Sequence, residues 1–186
     1  MTVVAGEASA RLEAAGEWSD RCAALACRAV EAHPYRRAWQ TRDATAWADA
    51  LAPDVVVYSP ILTTPFRGRE AAVELFTILF ERLGAMDITH EFADGDCHAF
   101  FWRVRCGAHS TEGVDLLRAN EQGEISEIRV LIRPLPDIAV FAAAIGPPLA
   151  ARRAPMRGPV ARAMVLPLRV ILAVADRLAA RLVQPR

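Results

Sequence analysis

The order of the elements that the sequence predicts in its middle is the strongest constraint on the fold. The β-branched run Val55–Tyr58 predicts a first strand, which Ser59-Pro60 ends. After a loop, Gly68 begins a strongly helical segment that runs to Leu83. Four strand-like runs follow, and no further helical pattern occurs before residue 137. This order predicts a small α+β fold in which a curved sheet wraps around helices and encloses a pocket.

The four runs alternate apolar and polar residues and are separated by turn signals. They are Asp87–Ala93, His98–Cys106, Thr111–Ala119 and Glu124–Arg133. Asp94-Gly95-Asp96 predicts a hairpin between the first two runs. In the second run, Phe100, Trp102 and Val104 share one face, and two arginines lie on the other. Apolar inward faces beside Arg-rich outward faces are typical of an antiparallel sheet covered on one side only.

Short helices are predicted before the first strand. Pro34 suits the first turn of a helix, where its missing N–H is not needed, and we expect a helix of about two turns to follow. Asp43 or Thr45 can cap a second short helix. The Ala-rich residues 7–32 predict one or two more helices, which makes residues 1–33 an N-terminal helical extension.

The chain after the sheet divides into three segments. Asp137–Ile145 predicts a short apolar helix or lid, and the Gly- and Pro-containing residues 146–159 are typical of a linker. Residues 160–183 have a helical period again, in which Pro167 predicts a kink or two short helices. One broad apolar face of this segment is formed by Val160, Met164, Leu168, Ile171, Leu172, Ala175, Leu178 and Leu182.

Charge is distributed unevenly, although the chain is neutral overall. Residues 1–146 have 14 Arg against 21 acidic residues, and residues 147–186 have eight Arg against Asp176 alone. The net charges of the two parts are therefore −7 and +7. This difference favours docking of the apolar helix face onto the body or onto a partner protomer. The alternatives are a peripheral contact with an anionic membrane surface and a disordered tail.

The composition argues against several classes of protein. Zero net charge argues against nucleic-acid binding, and the absence of Lys excludes Schiff-base chemistry by a lysine. The four cysteines have no metal-ligand spacing and no phosphate loop is present, so we expect no metal and no cofactor in a cytoplasmic protein with reduced thiols. No apolar run approaches 18 residues, so we expect no membrane span, and Glu7 and Glu13 argue against a signal peptide.

Seven short segments match the pattern of one known superfamily. They are Asp43, Ala52-Pro53-Asp54, Ser59-Pro60, Pro65–Gly68, Gly95-Asp96, Glu112–Leu117 and Arg133-Pro134-Leu135. With the element order, they make residues 34–146, roughly 60% of the chain, resemble the nuclear transport factor 2-like superfamily in its SnoaL-like branch. The resemblance implies a cone-shaped curved antiparallel sheet around a cavity, and a homodimer formed through the convex sheet. It leaves residues 147–186 as a basic linker and amphipathic helical tail.

The resemblance is more informative about fold than about activity. The superfold hosts isomerases, cyclases, dehydratases, epoxide hydrolases and non-catalytic binding modules. Its ketosteroid isomerases use an Asp base and an oxyanion hole made of a Tyr and a protonated Asp. The resemblance places Tyr35 and Asp115 at the oxyanion-hole positions and Ser59 at the base position. A serine cannot shuttle a proton at neutral pH without a base beside it, so we do not expect that isomerase activity.

Three side chains are the candidates for catalysis. Asp115 lies in the middle of a predicted strand, where a carboxylate either faces a pocket with a raised pKa or pairs with an arginine of the neighbouring strand. Tyr35 either packs in the core beside Trp39 or touches a ligand. His90 is the candidate general base if it faces the cavity, and the alternative is a hydrogen-bonded core histidine.

The sequence therefore predicts a protein that binds a small apolar or aromatic molecule with one polar group. The candidate pocket residues are Trp39, Ser59, Phe66, Phe76, Phe80, Phe100, Trp102 and Ile128. If the protein is an enzyme, we expect proton transfer on a polyketide- or steroid-like carbonyl compound, with His90 or Asp115 as the base. The alternative is a non-catalytic interaction and dimerisation module, in which core side chains fill the pocket and the convex sheet and C-terminal helix mediate assembly.

Overall fold

The computed structural model of the chain describes residues 33–107 and 109–183. Its helices are α1 (Pro34–Thr41), α2 (Ala44–Asp49), α3 (Arg69–Arg82), α4 (Leu135–Arg153) and α5 (Arg157–Val183). Its strands are β1 (Leu51–Tyr58), β2 (Phe66–Arg67), β3 (Met86–Asp94), β4 (Cys97–Cys106), β5 (His109–Ala119) and β6 (Ile125–Arg133). Apart from His33, the predicted N-terminal extension lies outside the described residues.

The strands of the described residues form one curved sheet that does not close. Their order is β2-β1-β6-β5-β4-β3. Neighbouring strands are antiparallel except β1 and β6, which are parallel. Helices precede and follow the sheet, and side chains from α1 to α4 share one hydrophobic core with its inner face. The predicted α+β cone is confirmed.

The core between the sheet and the helices is rich in aromatic side chains. Trp47, Tyr35, Phe76 and Phe100 are among its largest fully buried members. The rings of Trp47 and Phe76, from α2 and α3, lie with centroids 4.9 Å apart. Burying one large apolar side chain stabilises a fold by about 1.5–3 kcal/mol relative to leaving it exposed, so this cluster holds the helices against the sheet.

Local capping explains where the first two helices begin. His33 Nδ1 accepts a hydrogen bond from the backbone N–H of Tyr35 at 3.2 Å, and Pro34 occupies the first helical position. Asp43 Oδ1 accepts from two backbone N–H groups of α2, at 2.9 and 3.1 Å. These acceptors satisfy donors that a helix N-terminus leaves free. The predicted helix start at Pro34 and the predicted cap at Asp43 are confirmed.

The first strand begins earlier than its β-branched run indicates. β1 starts at Leu51 rather than Val55, and its pairing with β6 changes register between Leu51 and Val56. Pro53 lies within this irregular stretch, where the ladder does not require its missing N–H. The Ala52-Pro53-Asp54 segment is therefore a bulged beginning of the strand.

The segment predicted as a linker, residues 146–159, is largely helical. α4 continues through Pro147 and Pro148, and a short turn joins it to α5. A proline disfavours the helical conformation of the residue before it, because its ring approaches the Cβ of that residue. Gly146 has no Cβ, so α4 enters Pro147 without this clash. The last segment forms one helix, which continues through Pro167 and is not divided into the two short helices that were an alternative there.

Candidate functional site

A buried carboxylate lies in the middle of the sheet. Asp115 is 3% exposed and belongs to the inner face of β5, together with Thr111, Gly113 and Leu117. Phe100 of β4 lies directly opposite Asp115 in the ladder. Of the two orientations that the sequence allowed for this side chain, the structure has the inward one. An ion pair with an arginine of β6 is therefore not formed.

Two donors hold the carboxylate of Asp115. The Tyr35 hydroxyl, which α1 positions, donates to Oδ2, and Trp102 Nε1 on β4 donates to Oδ1 at 2.9 Å. Trp102 pairs across the strands with Gly113, where an added Cβ would collide with the indole ring. The glycine in β5 therefore provides the space for the indole that holds Asp115.

Burial governs the ionisation of this site. It raises the pKa of Asp115 from 3.8 to about 6, although the hydrogen bonds from Tyr35 and Trp102 favour the charged form. Burial, and then the charge of Asp115, raise the pKa of the Tyr35 hydroxyl well above its usual value. A carboxyl that titrates near pH 6 can both accept and return a proton at near-neutral pH. The arrangement can therefore perform proton transfer if a molecule reaches Asp115.

A cavity of about 60 Å³ lies beside Asp115, between the inner face of the sheet, α1, α3, α4 and the loop after β1. Its lining residues are Trp39, Val57, Ser59, Pro60, Ile61, Leu75, Phe76, Leu79, Leu83, Met86, Trp102, Asp115, Val130, Ile132, Phe141 and Ile145. Asp115 is the one ionisable residue of this lining. Within residues 33–107 and 109–183, no group of His, Cys, Asp and Glu side chains could hold a metal ion.

The amino-acid sequence of the cone-shaped domain shows the family of the chain. Residues 32–128, just over half of the chain, match the family model of the SnoaL-like domain. The chain belongs to the SnoaL-like domain family. The predicted resemblance to this branch is thereby confirmed. No curated protein sequence matches the chain.

Solved structures agree with this SnoaL-like assignment at the level of the fold. A steroid delta-isomerase from Pseudomonas aeruginosa matches with a TM-score of 0.61 and 22% identity, over 68% of this chain and 98% of that chain. A protein with a cystatin-like fold from Silicibacter pomeroyi matches with a TM-score of 0.57 and 21% identity, over 61% and 82% of the two chains. An NTF2-like protein from Mesorhizobium loti matches with a TM-score of 0.50 and 24% identity, over 55% of this chain and 90% of that chain. At these identities the likeness shows a shared fold and not a shared activity.

Half of the residues that the sequence predicted for a pocket line the cavity beside Asp115. The four that line it are Trp39, Ser59, Phe76 and Trp102. The four that lie outside its lining and belong to the surrounding core are Phe66, Phe80, Phe100 and Ile128. Tyr35 also lies outside the lining and reaches the cavity through its hydrogen bond to Asp115. Sequence reasoning missed Phe141 and Ile145, for which the apolar helix pattern after residue 137 was the available signal.

His90 does not face the cavity, so the expectation of an inward histidine base is wrong. The pairing of β3 with β4 changes register between Ile88 and His90, which interrupts the alternation of the strand. The exposed His90 ring lies near those of Phe92 and Phe101, with centroids 6.4 and 6.3 Å away. Phe101 is on the outer face of the sheet, where it is 39% exposed. A bulge of this kind cannot be recognised from an alternating sequence.

Ser59 lines the cavity at the position where the resemblance places a catalytic base. Its Oγ accepts a hydrogen bond from the backbone N–H of Ile61 at 3.1 Å. Within the part of the chain that the structure describes, no ionisable side chain hydrogen-bonds to this hydroxyl. Ser59 is therefore a turn-forming residue at the cavity, without the neighbouring base that would activate it.

Trp39 lines the cavity and contains a buried polar group. It is 5% exposed, and its Nε1–H has no hydrogen-bond acceptor among the described residues. An unpaired buried donor costs about 1–3 kcal/mol, which an acceptor from water or from a bound molecule would remove. The Trp39 indole N–H acts on the Tyr35 hydroxyl instead, where it lowers the pKa in opposition to burial.

Proposed function

We propose that this SnoaL-like protein binds a small, mainly apolar molecule that presents one polar group to Asp115. The observation that carries the proposal is a buried ionisable carboxyl in the wall of a mainly apolar cavity. Burying a carboxylate costs free energy even when it is hydrogen-bonded, and here burial raises its pKa to about 6. Carboxyls perturbed in this way are concentrated at binding and catalytic sites.

Proton transfer on a polyketide- or steroid-like carbonyl compound is the reaction that this site supports. Above about pH 6 Asp115 is charged and can take a proton from a carbon next to the carbonyl group. The protonated Asp115 can then return the proton to a second carbon, which isomerises the molecule without net loss of atoms. Tyr35 and Trp102 hold the carboxylate in place.

The cavity has to enlarge to admit such a molecule. Its 60 Å³ correspond to about two water molecules, whereas ligand pockets usually measure about 300–1,000 Å³. Ser59, Pro60 and Ile61 form the part of the lining that belongs to a loop, and Ile61 is 39% exposed. Loops move more readily than the elements that they connect. We propose that the ligand enters by displacing this loop.

A thermal-shift screen of the whole chain against 3-ketosteroids, aromatic polyketides and cyclic terpenoid ketones tests the binding proposal. A molecule that binds the folded state raises the melting temperature by mass action. We expect at least one class to shift the wild type and to leave Asp115→Asn unshifted. The matched control is Asp137→Asn, the same change at a second buried carboxyl that does not line the cavity, and it should keep the shift. No shift of the wild type by any class would refute the proposal.

Proton transfer has a separate test that needs no knowledge of the product. Each binding molecule is incubated with the protein in D₂O and analysed by mass spectrometry for deuterium on carbon. If Asp115 is the base, we expect the wild type to incorporate deuterium above about pH 6 and Asp115→Asn to incorporate none. Binding without incorporation would keep the binding proposal and remove the enzymatic one.

A non-catalytic interaction module is the second candidate function, and the small cavity favours it. A volume of about two waters is what a core filled by its own side chains leaves. The convex face of the sheet also carries exposed large apolar residues, Phe101, Leu116 and Leu131. In this alternative, two copies of the SnoaL-like domain pair through the convex sheet. Relatives in this superfamily are often dimeric, which supports pairing through this face.

A further inference from the structure

The C-terminal helix α5 is long and apolar but largely exposed. It has 27 residues, which correspond to about 40 Å at 1.5 Å per residue. The mean hydropathy of its most apolar 18-residue window is 1.6, and 6% of that window is buried. By length and composition alone, α5 could cross a membrane. Charged residues interrupt the apolar sequence of α5, so this property appears in its mean hydropathy and not as an unbroken apolar run.

A narrow face of small residues joins α5 to α4. A Cβ on the buried Gly158 would lie 3.1 Å from both the Ala151 Cβ and the Pro147 carbonyl oxygen. Ala161 and Val165 are half-buried and follow Gly158 on the same side of the helix. The close contact with α4 therefore determines which side of α5 faces the body.

The opposite side of α5, its outer face, consists of large apolar residues. At 100° per residue, its members are Val160, Met164, Ile171, Val174, Leu178 and Leu182. Each of these side chains is between 47% and 85% exposed. The expected docking onto the body is therefore wrong for Val160, Met164, Ile171, Leu178 and Leu182, whereas Leu172 of the predicted apolar face is half-buried. An exposed apolar strip of this length is far larger than the scattered apolar residues of an ordinary surface.

The charged residues of α5 avoid the middle of the outer face. Arg162 and Arg169 line the groove between α5 and the body, and Asp176 lies on the same side by the 100° spacing. Arg177 and Arg181 lie towards one edge of the outer face. Within the described residues, none of these arginines forms an ion pair. The helix therefore has an apolar face with unneutralised positive charge beside it.

We propose that the outer face of α5 lies on an anionic phospholipid bilayer, with the helix parallel to the membrane surface. Helices that bind in this way have a broad apolar face at the acyl boundary and Arg or Lys beside it, which attracts anionic headgroups. The contact of α4 with the inner face of α5 explains the parallel orientation. A spanning orientation would break the contact between α5 and α4. It would also place Arg162 and Arg169, which line the groove, inside the lipid.

A second copy of the chain fits the outer face less well than a lipid surface. Antiparallel pairing about the middle of two α5 helices would bring Arg157 of one copy near Arg181 of the other. The single acidic residue of the helix, Asp176, lies on the opposite side and cannot neutralise this pair. An anionic bilayer neutralises both arginines and covers the apolar residues at the same time.

Co-sedimentation of the whole chain with vesicles tests this inference, which does not depend on the proposed ligand. The vesicles contain phosphatidylcholine alone or with about 30% phosphatidylglycerol. We expect the wild type to sediment with the anionic vesicles and at least about fivefold less with the neutral ones. The double variant Ile171→Glu/Leu178→Glu should reduce the bound fraction about tenfold, because it places two charges in the apolar face.

The matched control is Leu62→Glu/Leu135→Glu. These side chains are 52% and 61% exposed, against 53% and 62% for Leu178 and Ile171, but they lie outside α5. The control should bind as the wild type does, and circular dichroism should show both double variants folded. No binding by the wild type, or equal loss in both double variants, overturns the inference. Vesicle binding that resists carbonate extraction would instead show a spanning helix and overturn the parallel orientation.

Light scattering tests whether a second copy of the chain, and not a membrane, covers the outer face of α5. We expect the molar mass in solution to be the same for the wild type and for Ile171→Glu/Leu178→Glu. A wild-type dimer that this variant dissociates, without vesicle binding, would assign the outer face to a second copy and overturn the membrane inference.

Discussion

Asp115 is a residue whose burial makes folding depend on pH. Because its pKa is raised from 3.8 to about 6, the folded chain binds this proton more tightly than the unfolded chain does. The resulting stabilisation is complete below about pH 4 and is lost as the pH rises through 6. A difference of about two pKa units corresponds to about 3 kcal/mol.

Urea unfolding of the wild type and of Asp115→Asn measures this contribution. We expect the free energy of unfolding of the wild type, relative to the variant, to fall by about 3 kcal/mol between about pH 4 and 7. Asn cannot titrate, so the variant lacks this dependence. A difference between the two proteins that stays constant across the range would show that Asp115 is not shifted in the folded state.

His33 has the opposite pH dependence in an overlapping range. Its pKa is lowered from 6.5 to about 4, chiefly by burial and then by the neighbouring His98 and Arg36. Its contribution to stability is therefore present above about pH 6.5 and lost as the pH falls through 4. His33→Asn should remove this loss while it keeps an acceptor for the Tyr35 N–H. Urea unfolding of His33→Asn should show a steeper stabilisation towards acid than the wild type, and an unchanged slope would refute the assignment.

At the residue scale, the sequence could predict that Asp115 was important but not which way it pointed. Its mid-strand position left an inward pocket group and an outward ion pair as alternatives, and the strand register selected the first. The same reasoning failed at His90, because the register change after Ile88 is not encoded in the alternation of residue types. The hydrogen bond from Trp102 to Asp115 also depends on a cross-strand neighbour that only the register shows.

Within β5, Gly113 links the shape of the strand to the chemistry of the site. An added Cβ has no room between the Trp102 ring and the Leu131 carbonyl oxygen. Gly113→Ala should therefore lower the free energy of unfolding by about 1–3 kcal/mol and shift the indole away from Asp115. Urea unfolding measures the lower free energy of unfolding. The displacement of the indole should change how the free energy of unfolding depends on pH through Asp115.

Leu116→Ala is the control for the Gly113 substitution. Leu116 belongs to the same strand but is 41% exposed on the outer face, so its truncation should cost less than about 1 kcal/mol. Equal costs for the two variants would mean that the inner face of β5 tolerates a methyl group. In that case Gly113 would have no role in positioning Trp102.

At the element scale, the sequence predicted well wherever a local rule acts alone. Pro34, Asp43 and Gly68 mark helix starts through proline geometry, side-chain capping and a positive φ of 85°, and all three lie where expected. The linker prediction failed at α4, where Gly146 before Pro147 lets the helix continue. Local signals of turns were strong there, but packing of α4 against the core decided the outcome.

At the scale of the whole molecule, the element order was sufficient for the cone fold but not for the size of its interior. The order of one strand, one helix and four strands appears in the sequence as periodicity and turns. The cavity volume depends on how Phe141 and Ile145 of α4 fill the space beside Asp115. The outward orientation of the apolar face of α5 likewise depends on its contact with α4.

The convex face of the whole sheet is the proposed surface of the homodimer. Phe101 and Leu131 are 39% and 57% exposed on that face. If two copies pair there, light scattering of the wild type gives the mass of a dimer, and Phe101→Glu/Leu131→Glu gives a monomer that remains folded. We expect this result, whereas a wild-type monomer at micromolar concentration would remove the dimerisation proposal.

The indole N–H signal of Trp102 in a ¹⁵N NMR titration reports the ionisation of Asp115, because this group donates to the Asp115 carboxylate. We expect the signal to titrate with a midpoint near pH 6, and Asp115→Asn to abolish the titration. Addition of a molecule that raises the melting temperature should shift this signal and that of Trp39 together. A Trp102 signal that neither titrates between about pH 4 and 8 nor responds to any such molecule would contradict an ionisable binding site at Asp115.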